Sequence, residues 1–318
     1  MIRPVLLLLA ALVIAIFVAS TFGTASVSWR DAIAGEPTAR TVLFDIRLPR
    51  VLLAALVGAA LASAGVTFQT LLRNPLADPF ILGVSGGAAC GAAVTTALGL
   101  ARIPGVVSIV AFLGACAATA AVFVLARRRE YTDPTRLLLS GLVLNALFSA
   151  IILIAFALAP AGDLTAALRW MMGTLFGATW NDVLLLLGFV IVAMIALFTI
   201  GGDLRMLAFG EDDAKSRGVD TERIKLIGFA AGSIVTGAAV AVSGIIGFVG
   251  LLVPHLMRLM WRRDYRVLLP LSTLGGAILL VLADLASRLA LPDSELPVGA
   301  FTAILGVPFF LSLLRRSR

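Results

Sequence analysis

Ten long apolar segments set the main constraint on how this 318-residue chain can fold. A helix needs about 20 apolar residues to cross the hydrocarbon core of a bilayer, and most of the segments have about that length. Only 14% of the residues are charged, whereas soluble domains carry about a quarter. The sequence therefore predicts an all-α polytopic membrane protein that forms a single domain over residues 1–318. Its predicted transmembrane helices cover about residues 4–22, 51–72, 81–101, 104–126, 137–160, 183–201, 226–243, 245–261, 267–290 and 297–314.

Two of these boundaries depend on local detail. The apolar stretch 226–261 is too long for one span, so we place a break at Ser243 and Gly244. The first segment is longer than the apolar region of a usual signal peptide. Because so many spans follow it, we interpret it as a retained first helix.

The distribution of basic residues predicts the orientation. An even number of spans puts both termini on one side of the membrane, and cytoplasmic loops carry an excess of Lys and Arg. With the N-terminus inside, only seven of the 25 basic residues lie outside, and the other 18 lie inside. We therefore predict that both termini are cytoplasmic. The seven are Arg30, Arg40, Arg47, Arg50, Arg102, Arg169 and Arg288.

One dense polar island interrupts the second half of the chain. The motif GEDDAKSRGVD, residues 210–220, lies within a charged stretch of residues 203–225, between the uncharged segments 183–200 and 226–257. The predicted orientation places this island in the cytoplasm. Composition alone would allow an ordinary solvated loop there.

Motifs for enzymatic chemistry are missing from the sequence. The chain has one histidine, His255, and its two cysteines, Cys90 and Cys116, lie in apolar runs without metal-ligand spacing. A phosphate-binding loop needs a glycine before Lys-Ser or Lys-Thr, but Ala214 precedes Lys215 and Ser216. We therefore expect no nucleotide hydrolysis and no metal site in this chain. The high isoelectric point reflects loop charge in a membrane protein rather than nucleic-acid binding.

Few ionisable side chains fall within the predicted spans. Asp284 and Arg288 are four residues apart near an outer helix end, which favours an i,i+4 pair or a surface feature. For His255 and Arg258 we favour a structural role, with hydrogen bonds to neighbouring helix ends, over substrate binding. An ion- or proton-coupled secondary transporter is the rival interpretation. It would need charges nearer the membrane midplane or unwound ligand sites.

The most informative run covers residues 45–88. Arg47-Leu-Pro-Arg50 stands at the start of a span, where Pro49 suits the first helical turn. At the other end of that span, prolines 75 and 79 enforce a non-helical turn, and glycines 83, 86 and 87 open the next helix.

This run resembles the signature of a known family, the permease subunits of type II ATP-binding-cassette (ABC) importers for iron-siderophores, haem and cobalamin. Three further stretches are similar to the same family, in order along the chain: LRWMMGTLFGATW at 168–180, SGIIGFVGLLVPHLMR at 243–258, and LADLASRLALPDSELPVGAFTAILGVPFFLSLL at 282–314. The resemblance is specific for the family and uninformative about the substrate.

The resemblance implies an assembly. Two permease copies, expected to be identical, would form a dimer with the translocation path on its axis in the bacterial inner membrane. Two cytoplasmic ATPase subunits would bind ATP and Mg²⁺, so this chain would need no cofactor of its own. A periplasmic or lipid-anchored binding protein would deliver the substrate. Iron-siderophore, haem and cobalamin remain open as substrates, and family frequency puts them in that order.

The resemblance also assigns candidate residues to three roles. Arginines at matching outer positions would dock acidic residues of the binding protein, namely Arg47, Arg50 and Arg288. The polar island would form two short coupling helices that contact the ATPase, with turns at Gly210 and Gly218. Their candidate contact residues are Gly210, Glu211, Asp212, Ala214, Lys215, Arg217 and Gly218, while Asp213 would face the ATPase or solvent. The cytoplasmic gate would include Asn74, Pro75, Leu76 and Thr135, although Asp133-Pro134-Thr135 departs from the small hydroxyl run expected before the fifth span.

Overall fold

The computed structural model describes residues 2–23, 28–127, 131–261, 264–291 and 295–316. These residues are almost entirely helical, and within them the only β-type pairing is an isolated bridge between Arg127 and Thr132. The helices are α1 Ile2–Thr21, α2 Trp29–Ala34, α3 Pro37–Arg40, α4 Leu48–Leu71, α5 Val84–Ala97, α6 Val106–Ala126, α7 Pro134–Leu158, α8 Ala161–Met171, α9 Trp180–Thr199, α10 Gly201–Phe209, α11 Glu211–Ser216, α12 Thr221–Ser243, α13 Val249–Trp261, α14 Tyr265–Leu289 and α15 Val298–Arg316. A π-helical stretch, Thr41–Arg47, joins α3 to α4, and a short 3-10 turn, Leu100–Arg102, precedes α6.

The prediction of an all-α polytopic membrane protein is confirmed. Each of the ten predicted segments contains a helix, and seven helical runs in the described part of the chain are long and apolar enough to cross a membrane. The count of ten spans is approximate, because α5 has 14 residues and α13 has 13. Both begin later than predicted, α5 after Gly83 and α13 after Phe248, which have positive φ angles of 84° and 68°.

The break predicted at Ser243 and Gly244 is confirmed. Helix α12 ends at Ser243, and Gly244 adopts a φ of +68° that a residue with a side chain would rarely adopt. A Cβ atom on Gly244 would also overlap the carbonyl oxygen of Trp170, in the last turn of α8. The backbone N–H of Thr174 donates a 2.8 Å hydrogen bond to the Ser243 carbonyl. The segment following α8 therefore satisfies the irregular backbone between α12 and α13.

Helix α4 forms the centre of the bundle. It packs along α14, α12, α13 and α9, and nearly all of its apolar length is buried. Two of its glycines permit this close approach, because a Cβ on Gly58 would overlap the carbonyl of Gly276 in α14, and one on Gly65 would overlap that of Gly250 in α13. Without an apolar driving force between helices in lipid, such backbone proximity supplies van der Waals contact.

The two ends of the bundle can be distinguished by the residues that meet there. At one end, called here the Arg50 end, the N-terminus of α4 meets the C-termini of α1 and α14. At the other, called the Lys225 end, the C-terminus of α4 meets the N-termini of α12 and α14, and Thr67 hydrogen-bonds Tyr265 at 3.0 Å. The polar island and the Asn74 turn both lie at the Lys225 end.

Candidate functional site: charged clusters at the two ends of the bundle

A buried charge cluster lies at the Arg50 end. The Nε atom of Arg50 lies 2.9 Å from Oδ1 of Asp284, and its Nη1 atom lies 2.8 Å and 2.9 Å from the two carboxylate oxygens of Glu295. The Nε atom of Arg288 forms an ion pair of 3.0 Å with Oδ2 of Asp284. The Asp284 side chain is fully buried. One carboxylate therefore joins α4 and the last turn of α14.

Two arginines of this cluster also bind the end of α1. Arg47 donates hydrogen bonds to the carbonyl oxygens of Ser20 and Thr21, at 3.1 Å and 2.8 Å. Arg288 donates to those of Ala19 and Phe22, at 2.9 Å and 3.3 Å. The last carbonyl groups of a helix lack partners within the helix and carry partial negative charge. The guanidinium groups satisfy them, so the cluster holds α1 against α4 and α14.

The three arginines expected to dock a binding protein are almost completely buried. Docking of a binding protein calls for exposed guanidinium groups, yet Arg47, Arg50 and Arg288 are only 6%, 8% and 5% exposed. The predicted i,i+4 pair of Asp284 and Arg288 is confirmed, but it is not a surface feature, since Asp284 is completely buried. The sequence could not reveal this, because the burial depends on helices far apart in the chain.

At the Lys225 end, the polar island forms two short helices. Helix α10 covers the end of the previous span, and α11 follows directly after Gly210. The predicted turns at Gly210 and Gly218 are confirmed, with φ angles of +153° and +82°. Of the candidate contact residues, Asp212, Lys215, Arg217 and Gly218 are exposed, as is Asp213.

Two of the predicted coupling residues turn inward instead. Ala214 is fully buried, and Glu211, the first residue of α11, is partly buried. The carboxylate of Glu211 lies 3.0 Å from Nζ of Lys215 and 2.8 Å from Nζ of Lys225. Burial acts to raise the pKa of Glu211, but hydrogen bonds from Lys225 and Lys215 outweigh it, and the pKa is lowered. The face of α11 that holds Glu211 and Ala214 therefore contacts the bundle, and the opposite face is free.

A cleft of about 310 Å³ opens beside these two helices. It is lined by Arg205, Met206, Phe209, Asp213 and Arg217. Phe209 is 74% exposed, which is unusual for a large aromatic side chain outside an apolar environment. The lining of the cleft therefore combines two guanidinium groups, two apolar side chains and one carboxylate.

The candidate gate residues also lie at the Lys225 end. In the turn after α4, Asn74 accepts a 2.9 Å hydrogen bond from the backbone N–H of Leu76, and Pro75 and Leu76 are exposed. Thr135 is exposed in the first turn of α7, where its N–H donates to Asp133 at 2.8 Å. The segments that carry these residues approach each other, because Leu71, Leu72, Thr132 and Pro134 line one small cavity of about 10 Å³.

Asp78 was not singled out by the sequence. Its side chain lies in the turn after α4, where Oδ1 accepts a 2.8 Å hydrogen bond from the N–H of Phe80. Burial raises the pKa of Asp78 to about 6, although that hydrogen bond acts to lower it. The Asp-Pro pair formed by Asp78 and Pro79 is a turn signal that could have drawn attention to this carboxylate.

The expectation for His255 is wrong in one respect. Both ring nitrogens are buried without a hydrogen-bond partner among the described residues, and the ring makes an edge-to-face contact with Phe309 at 5.9 Å. Arg258 does bind a neighbouring helix, since it donates to Oε1 of Gln69 in α4 at 3.2 Å. Within the described part of the chain, no three His, Cys, Asp or Glu side chains are grouped to hold a metal ion.

A dense bundle of apolar helices, with short charged helices at one end and a buried ion-pair cluster at the other, is the architecture of a polytopic membrane protein. The comparisons specify its class. Residues 7–316 match the FecCD transport family. The chain is 43% identical to the ABC transporter permease protein YvrB of Bacillus subtilis, over 92% of this chain and 85% of that protein.

Relatives named for their substrate are similarly close. The cobalamin import system permease BtuC of Halobacterium salinarum is 44% identical, covering 87% of this chain and 74% of the relative. The vitamin B12 import system permease BtuC of Vibrio cholerae is 44% identical, covering 87% of this chain and 83% of the relative. Among solved structures, a metal-chelate type ABC transporter in an inward-facing conformation superposes with a TM-score of 0.88 at 31% identity, over 98% of both chains.

The chain belongs to the FecCD transport family and is an ABC transporter permease. It is thus a multi-pass membrane protein, located in bacteria in the inner membrane, and a transport component rather than an enzyme. The family implies ATPase and substrate-binding partners. Membership of this family replaces the rival interpretation of the chain as a secondary transporter.

We predict that Asp284→Asn destabilises the protein by about 3–5 kcal/mol, because removing one partner of a buried ion pair leaves uncompensated charge. Both Arg50 and Arg288 lose a carboxylate in this variant. The free energy of unfolding in mixed micelles measures the effect.

Asp264→Asn is the matched control. Its pair with Arg205 spans 3.3 Å between side chains that are 36% and 49% exposed, so we expect a loss below about 1 kcal/mol. Equal losses in the two variants would contradict the structural role of Asp284.

Proposed function

We propose that this chain is the permease of an importer that moves a bulky chelate of the cobalamin or iron-siderophore type into the cell. The observation that carries this proposal is the pair α10–α11, which presents an exposed charged face and an open cleft at one end of a closed bundle. In a permease of this family, such a pair provides the contact through which a separate ATPase drives transport.

The proposed orientation puts the Lys225 end in the cytoplasm. The basic residues of the chain favour this orientation, and it places α10, α11 and the candidate gate residues on one side. Two ATPase subunits would bind there and hold ATP and Mg²⁺, while two copies of this chain would enclose the path. Closure of the ATPase pair would move α10–α11, and the bundle would alternate between outward and inward access.

The cleft suggests how the ATPase is held. Arg205 and Arg217 flank Met206 and Phe209, and Phe209 is largely exposed. An acidic and apolar segment of the ATPase would fill this cleft, since guanidinium groups bind carboxylates in a defined orientation. This contact would position the free face of α11, with Asp212, Lys215 and Arg217.

We predict that Gly218→Val lowers the amount of ATPase that co-purifies with the permease. Gly218 has a φ of +82°, which costs a β-branched residue about 1–3 kcal/mol, and the turn that orients α11 would rearrange. The ratio of ATPase to permease after gentle solubilisation, determined by quantitative mass spectrometry, measures the effect.

Gly177→Val is the control, because Gly177 has a similar φ of +75°, and neither glycine has an atom within 4 Å of an added Cβ. Gly177 lies between α8 and α9 at the opposite end of the bundle, so this variant should retain the ATPase. Failure of the wild-type permease to retain any ATPase would contradict the proposed function.

The Arg50 end would receive the substrate-binding protein. Arg47, Arg50 and Arg288 are buried, but Arg50 is bound on its outer side by Glu295, whose side chain is 35% exposed. An acidic residue of the binding protein could exchange with Glu295 at this position. In this form the docking assignment is compatible with the burial of all three arginines.

We therefore predict that Glu295→Gln increases the affinity for the binding protein, because it weakens the internal competitor for Arg50. Asp45→Asn makes the same change of charge at an exposed site on the same end and should have a smaller effect. Binding of the labelled binding protein to permease in nanodiscs, measured at low and high salt, tests this. Equal effects of the two variants would indicate general electrostatics.

Cobalamin is our first choice of substrate, because the relatives named for a substrate are cobalamin permeases. Iron chelates come second, since the similar solved structure is of metal-chelate type. This order reverses the one that family frequency gave. In either case the described residues offer no grouped metal ligands, which fits a chelate that is passed along intact.

We predict that proteoliposomes containing the permease, its ATPase and its binding protein accumulate cyanocobalamin when ATP is present on the ATPase side. A ferric siderophore and haem serve as the alternatives in the same assay. Uptake of the ferric siderophore without cyanocobalamin would replace the substrate and leave the importer assignment intact.

A further inference from the structure

Lys225 is a buried ammonium group at the junction of three chain segments. It lies in the first turns of α12, and its side chain is only 6% exposed. Its Nζ atom lies 2.8 Å from Oε2 of Glu211, 2.8 Å from Oε1 of Glu222 and 3.1 Å from the carbonyl oxygen of Thr132. An ammonium group has three protons to donate, and these three acceptors account for all of them.

The three acceptors belong to different parts of the transporter. Glu211 is the first residue of α11, the helix that we assign to the ATPase. Glu222 is in the first turn of α12. Thr132 precedes α7, and its hydroxyl donates a 2.7 Å hydrogen bond to the second carboxylate oxygen of Glu222. Thr132 itself is fully buried, so the contact is internal.

This network continues toward the candidate gate. Thr132, Pro134 and Lys225 line the same small cavity as Leu71 and Leu72, at the end of α4. The turn with Asn74, Pro75 and Leu76 follows directly after Leu72. On the opposite side of the cavity, Thr135 follows the lining residue Pro134. A displacement of Thr132 would therefore shift its contacts with both segments that carry candidate gate residues.

The ionic contacts make independent motion of these segments unfavourable. If α11 moved away from the residues before α7, either Glu211 or the Thr132 carbonyl would lose its hydrogen bond to Lys225. Lys225 would keep Glu222, and Glu211 would keep Lys215, but a charge-assisted hydrogen bond of a largely buried ammonium group would be lost. Joint movement of the two segments is therefore favoured over separate movement.

We propose that Lys225 is the positioning residue that couples α11 to the segment before α7, so that a movement imposed by the ATPase reaches the gate. The inference rests on the proposed function, because it needs an ATPase at α10–α11. Lys225 contacts α11 at Glu211, on the side of that helix that faces the bundle. It acts through Glu211 and Thr132.

The variant Lys225→Met tests the proposal, since it keeps an apolar side chain of similar length and removes the charge. Glu211 retains Lys215 and Glu222 retains Thr132 in this variant. In proteoliposomes with ATPase and binding protein, we expect the ATPase to stay bound and to hydrolyse ATP. Substrate transported per ATP should fall about tenfold, a typical magnitude for coupling between two sites.

Arg223→Met is the matched control. It also removes a positive charge from the start of α12, but at an exposed side chain that is not one of the candidate contact residues. Its transport per ATP should stay close to that of the wild type. A loss of transport per ATP that is equal in the two variants, or wild-type coupling in Lys225→Met, would overturn the proposal.

A distance measurement separates coupling from a purely structural role. Spin labels at Tyr131 and Ser216, in a background with Cys90 and Cys116 replaced by alanine, report the distance between the two linked segments. We expect this distance to be the same with and without ATP in the wild type and to change with ATP in Lys225→Met. A distance that is independent of ATP in both proteins would overturn the proposal.

Thr132→Val provides a milder variant if Lys225→Met does not accumulate. It removes the hydroxyl donor to Glu222 but keeps the carbonyl contact with Lys225, so we expect a smaller loss of transport per ATP. Unaltered coupling in Thr132→Val would then count against the network. Absence of any ATPase from the wild-type complex would overturn both this proposal and the proposed function, whereas normal coupling in Lys225→Met overturns this proposal alone.

Discussion

The close approach of α4 to α14 and α13 determines where the charged groups of this protein can meet. Gly58 and Gly65 bring the α4 backbone against Gly276 and Gly250. Arg50 then stands beside Asp284 at one end, and Gln69 stands beside Arg258 at the other. In lipid, packing of this kind replaces the hydrophobic effect as the force that associates helices. The ionic contacts are thus placed by a purely steric fit in the middle of the bundle.

The two charged clusters differ in what they connect. At the Arg50 end, arginines satisfy carboxylates and the terminal carbonyl groups of α1, so that helices which must not separate are held together. At the Lys225 end, one lysine of α12 connects α11 to the residues before α7. The first cluster fastens long helices to one another. The second fastens two short segments to α12, a helix that packs along α4, and we propose that it transmits displacement between them.

Much of this fold could be predicted from the sequence, because lipid imposes length and apolarity on every span. The break at Gly244 followed from the length of the apolar stretch and from its glycine, whereas the turns at Gly210 and Gly218 followed from the resemblance to a known family. Pairing across the chain could not be predicted in this way. Asp284 lies 234 residues from Arg50, and Lys225 lies 93 residues from Thr132. A linear sequence shows that Glu211 is charged, but only the packing of α11 shows that it faces inward.

The short length of α13 has a geometric consequence for the Arg50 end. Thirteen residues of helix extend about 20 Å, roughly 10 Å less than the hydrocarbon thickness of a bilayer. Since the last turn of α13 reaches the Lys225 end, its first turn stops well below the opposite membrane surface. The remaining depth is taken up by the non-helical residues 244–248, and the end of α8 packs against them, since Trp170 and Gly173 meet Gly244 and Ile245 there. The polar backbone groups of this stretch therefore lie at a depth where contacts within the protein must satisfy them.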